Sequence, residues 1–75
     1  MTRYSPEIEQ YMKDYYQTLS ENDGRRYAGI EAMKLGRGGI AYIAEILGCS
    51  PHTVRKGRSE IAQLSKEPKK KGETD

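Results

Sequence analysis

The sequence predicts an all-α protein, a small helical bundle of four helices containing a helix-turn-helix. Three observations lead there. Apolar residues recur at helical spacing rather than in strand-like alternation. Ser-Pro pairs and glycines fall where helices should start and stop. The stretch Gly39 to Leu64, GIAYIAEILGCSPHTVRKGRSEIAQL, reads as two helices joined by a turn of about three residues. With 75 residues the chain suits one small domain. Residues 1–65 are assigned to it, and 66–75 to a basic disordered tail.

The elements follow in order. Met1 to Tyr4 is expected to fray. Ser5-Pro6-Glu7 starts the first helix with a cap, a proline that needs no N–H, and an acid near the positive end of the dipole. Ile8, Tyr11, Met12, Tyr15 and Leu19 form its apolar stripe. Tyr11, Tyr15 and Tyr16 stand beside aliphatic residues at helical spacing, so half-buried packing is expected over stacking on bases. Ser20, with Asp23 three residues on, opens the next element as an imperfect capping box. Tyr27 to Leu35 should be helical, ending at Gly36. Its apolar residues split into Ala28, Ala32 and Leu35 on one side and Ile30 and Met33 on another. That pattern predicts a helix sandwiched between the first helix and the last two. Gly24 and Gly29 weaken it, by up to ~1 kcal/mol each if internal, and Gly29 could allow close helix approach. Gly36-Arg37-Gly38-Gly39 lacks the spacing of a phosphate-cradling loop and reads as a connector.

In the third helix Ile40, Ile43, Ala44 and Leu47 share a face, and Gly48 should end it in a left-handed cap. Cys49 reads as a small apolar turn residue. Ser50 and Pro51 open the fourth helix. Around it, Val54, Gly57, Ile61 and Leu64 fall on one side. His52, Arg55, Lys56, Ser59 and Gln63 fall on the other, Arg58 lies near the boundary, and Glu60, at the margin, is the sole acid. A reading helix in the major groove needs an apolar back and a cationic, polar front. An ordinary solvated outer face is the blander alternative. The short Gly-Cys-Ser turn and the Ser-Pro start favour double-stranded DNA as partner.

Charge distribution points the same way. Net charge is only +2, but residues 1–49 carry six Lys/Arg against seven Asp/Glu, and residues 50–75 carry seven against four. The positive field sits on the reading helix and its tail, where phosphates would need it. His52, Arg55, Lys56 and Ser59 are the candidate base contacts, with Arg55 the natural bidentate reader of guanine. Arg37, Ser50, Thr53, Arg58 and Lys66 are the candidate phosphate contacts, which position without reading sequence.

Other classes fit less well. One cysteine and one histidine leave no disulfide and no expected metal or cofactor. No apolar run approaches the ~20 residues of a membrane span, and the polar N-terminus is no secretory signal. A cytoplasmic protein is the expectation. Strand-transfer or phosphoryl-transfer chemistry would need metal-binding carboxylates in a formed pocket. The acids here lie mainly on helix starts and outer faces, so neither catalysis nor a small-molecule substrate is expected. The alternative function is a protein-interaction module, in which the tyrosine-bearing first helix could supply a homodimer face.

Most of residues 19–64 resembles the N-terminal segment of ISAzo-thirteen-type bacterial insertion-sequence transposases. The resemblance rests on Leu19-Ser20, Glu31-Ala32, Leu35-Gly36-x-Gly38-Gly39-Ile40, Ile43-Ala44, Leu47-Gly48-Cys49-Ser50 and Thr53-Val54-Arg55-x-Gly57-Arg58. It implies binding of the element's terminal DNA. In such proteins a metal-dependent RNase H-like domain follows, and nothing in these 75 residues matches it. The resemblance therefore implies a DNA-binding portion and no transposase activity. Gly57 stands where a helix-turn-helix usually carries a buried aliphatic anchor. A glycine there costs helix propensity but would let another backbone come close.

Overall fold

Serine hydroxyls start three of the four helices. A computed structural model describes residues 3–64, in the order α1 (Pro6–Thr18), α2 (Glu21–Leu35), α3 (Gly39–Leu47) and α4 (Pro51–Leu64). Ser5 Oγ accepts from the Ile8 N–H at 3.2 Å, Ser20 Oγ from Asp23 at 3.1 Å, and Ser50 Oγ from Thr53 at 3.1 Å. Each satisfies an N–H that the first turn leaves without a helical partner. Ser20 caps α2 as its spacing to Asp23 predicts, so the helix begins at Glu21 and extends N-terminally beyond the apolar Tyr27–Leu35 stretch. Gly48 ends α3 at φ 73°, and its N–H reaches the Ala44 carbonyl at 2.9 Å. Three residues, Gly48 to Ser50, separate α3 from α4.

The protein is an all-α bundle built around α2. That helix packs most extensively on α4, then on α3, and lightly on α1, while α1 rests on α3 and α2. The core is Met12, Ala28, Ala32, Tyr42, Ile43, Ala44, Ile46, Leu47 and Val54. Five of these nine come from α3, which is apolar nearly all round and correspondingly buried. Its buried set is wider than the single face the periodicity marked. Tyr42 and Ile46 are buried as well, whereas Ile40 is only half-buried.

Several expectations are corrected. The central place of α2 does not come from two covered apolar stripes: Ile30 and Met33 are 42% and 45% exposed. It comes from small residues. A Cβ on Gly57 would stand 2.6 Å from the Arg25 carbonyl carbon, and one on Gly29 would stand 2.8 Å from Arg58 Cα. The two glycines let α2 and α4 meet backbone to backbone, so Arg25 and Gly29 on α2 supply the approach that Gly57 implied. The α1 stripe also divides. Met12 is buried and Leu19 half-buried, but Ile8, Tyr11 and Tyr15 are 45%, 59% and 54% exposed, so of the three clustered tyrosines only Tyr16 is half-buried as expected. On α4, Val54 and Gly57 are buried, Ile61 is half-buried, and Leu64, at the end of the helix, is exposed.

Of the Met1–Tyr4 segment expected to fray, Met1 and Thr2 lie outside the described residues, and Arg3 and Tyr4 are held. The Tyr4 N–H donates to the Tyr42 hydroxyl at 2.7 Å, and that hydroxyl in turn donates to Glu9 Oε2. The Arg3 guanidinium lies 4.3 Å from the Tyr42 ring centroid and 3.8 Å from Glu45. A buried tyrosine needs a partner for its hydroxyl, and Glu9 with the Tyr4 backbone supplies it. Burial, then the bond to Glu9, pushes the Tyr42 pKa up.

Candidate nucleic-acid interface

The outer side of α4 follows from what its inner side must do. Val54 and Gly57 are pressed inward, so residues half a turn away face solvent. His52, Arg55, Lys56 and Ser59 are all exposed, as are Arg58 and Gln63. Among the described residues no acid lies within ion-pair distance of Arg55, Lys56 or Arg58. The four residues named as base contacts thus share one open face.

Glu60, the only acid of α4, is turned aside. Arg25 Nε donates to its Oε1 at 3.1 Å and Arg25 Nη2 to its Oε2 at 3.0 Å, a two-pronged pair. Arg26 Nε donates to Oε1 at 3.3 Å. The Arg25 and Glu60 side chains keep only 16% and 24% of their exposure. Arg25 also donates to the Asn22 side chain. These hydrogen bonds, the one from Arg25 first, hold the Glu60 carboxyl below its ordinary pKa and push Arg25 up. The margin of α4 that would otherwise repel a phosphate is therefore neutralised from α2. Neither Arg25 nor Arg26 was singled out from the sequence. The available signal was the lone acid on a cationic helix, which calls for a cation on a neighbouring element.

The predicted phosphate contacts are more scattered. Ser50 and Thr53 stand together at the start of α4 with their hydroxyl oxygens 3.1 Å apart, Ser50 exposed and Thr53 half-buried. The Thr53 N–H is already engaged by the Ser50 cap. Arg37 is exposed on the α2–α3 connector, between Gly36 and Gly38, both at positive φ. Lys66 and the proposed tail, 66–75, lie outside the described residues.

Beside the start of α4, Tyr16, Glu21, Arg25, His52, Thr53 and Lys56 line an open groove of about 290 Å³. It joins two of the predicted base contacts to α1 and α2. Cys49 closes the turn above the helix, and burial pushes its thiol pKa up, which suits a packed turn residue more than a reactive one. Among the described residues no three His, Cys, Asp or Glu side chains gather as metal ligands, and no helix is long and apolar enough to cross a membrane. No protein-family profile, curated protein or solved structure matches the chain.

Proposed function

We propose that α3, its three-residue turn and α4 act as a helix-turn-helix that binds double-stranded DNA in a sequence-specific way. In this reading α4 enters the major groove. Arg55 reads a guanine edge, with His52, Lys56 and Ser59 beside it. Arg58, Arg37 and Lys66 grip phosphates, and the Ser50–Thr53 end of α4 approaches the backbone with the positive end of its dipole. The observation that carries the proposal is the open, cationic face of α4, where among the described residues no acid lies within ion-pair distance of Arg55, Lys56 or Arg58 and Glu60 is sequestered on Arg25 and Arg26. The resemblance of residues 19–64 to the terminal-DNA-binding segment of insertion-sequence transposases supports the same reading and suggests that the target is an element end.

Selection from a pool of random duplexes tests it. A recovered motif is the expected result. Retention of duplexes with no common sequence would reduce α4 to a general polycation, and no retention at low salt would remove DNA as the partner.

A further inference from the structure

The outer face of α1 carries a second surface that the DNA-binding reading leaves unused. Ile8, Tyr11 and Tyr15 recur at i, i+3 and i+7, and all are exposed. A soluble helix normally turns such a stripe inward. Here the inward side is occupied by Met12 and the half-buried Tyr16. Tyr15 is steadied by an edge-on contact with Tyr27, ring centroids 5.2 Å apart, so one edge of the stripe is fixed in place. Three large apolar groups at this spacing are what a second helix needs for knobs-into-holes packing.

Charge identifies the occupant. Glu7 and Asp14 flank the stripe on one edge, seven residues apart and both exposed. Tyr11 donates to Glu7 at 3.2 Å, and Gln10 to Asp14 at 2.9 Å. The one cation of α1, Lys13, falls on the other side of the helix by the 100° step. A second copy packed antiparallel through the same stripe would bring Glu7 of one protomer against Asp14 of the other, and like charges at that position oppose pairing. We infer that the Ile8–Tyr11–Tyr15 stripe docks an amphipathic helix of a protein partner whose apolar face is flanked by Lys or Arg. The packing partners of α1 are α2 and α3, so this surface is independent of whether α4 reads DNA, and both could be engaged at once.

Two synthetic helical peptides test the inference, each with leucines at heptad spacing, one flanked by lysines and the other by glutamates. Backbone amide shifts of the whole chain are followed during titration. The lysine peptide should move residues 7–15 and bind at least tenfold more tightly than the glutamate peptide. Tyr11→Ser should weaken it severalfold with helix content unchanged. Glu7→Lys with Asp14→Lys should reverse the preference between the peptides, a result that general stickiness cannot give. Equal binding of both peptides, shifts confined to α4, no shifts on α1, or self-association of the free protein through the stripe would each overturn the inference. Duplex binding by Tyr11→Ser should match wild type, so the outcome is separate from that of the proposed function.

Discussion

Gly57 and Gly29 let α2 and α4 meet backbone to backbone, and their substitution gives a sharp prediction. Alanine in a helix interior normally gains up to ~1 kcal/mol over glycine. At Gly57 the added Cβ would run into the Arg25 carbonyl, which is backbone and cannot turn away. Overpacking of this kind costs about 1–3 kcal/mol, so the clash should win and Gly57→Ala should lower the urea midpoint clearly. Gly24 provides the control. Its added Cβ would meet the Tyr16 ring edge at 3.0 Å, a side chain with some freedom to shift. Gly24→Ala should be far milder, near neutral in the same denaturation measurement. Equal losses at the two sites would mean that α2 and α4 do not meet through their backbones.

At the scale of the element, the placement of α4 rests on a polar clamp as well as on its apolar back. The ties from Glu60 to Arg25 and Arg26 fix the rotation of α4 on α2 and aim Arg55 and Lys56 outward. Folding depresses the Glu60 pKa below its ordinary value of 4.5. The unfolded chain therefore takes up a proton first as the pH falls. The stabilisation is fully present above about pH 4.5 and is lost as the pH falls through the lower, folded value. Glu60→Gln should accordingly be less stable than wild type near neutral pH. The gap should narrow on acidification, as read by paired thermal melts across the acid range. A gap independent of pH would deny the ion pair its role. The fourth helix also depends on its cap, and Ser50→Ala should cost about 1 kcal/mol in the same melts.

For the whole molecule, binding should be read through salt. If two or three cations neutralise phosphates, the logarithm of affinity should fall with log salt at a slope of about −2 to −3. A slope near zero in anisotropy titrations would favour an apolar protein partner instead. Much of this architecture was legible in the sequence because its signals are local. Ser5-Pro6, Ser50-Pro51 and Gly48 carry their start and stop chemistry within a turn of chain. The exposed set on α4 followed from a 100° step alone. What could not be read depends on contacts between distant residues. Periodicity placed Tyr11, Tyr15 and Met12 on one stripe, but only the seat of α1 on α3 and α2 decides that Met12 goes in and the two tyrosines stay out. The spacing of Gly57 announced a close approach without naming Arg25, and Glu60 looked like a blemish on a cationic helix until α2 supplied its partners. The central claim is that the outward side of α4 reads base edges, and it is tested most directly by one comparison: the affinities of wild type and Arg55→Ala for a selected duplex and for a random one. Arg55→Ala should lose about 1–3 kcal/mol on the selected duplex and much less on the random one. Equal losses on both would show that Arg55 only grips phosphate, contradicting the account.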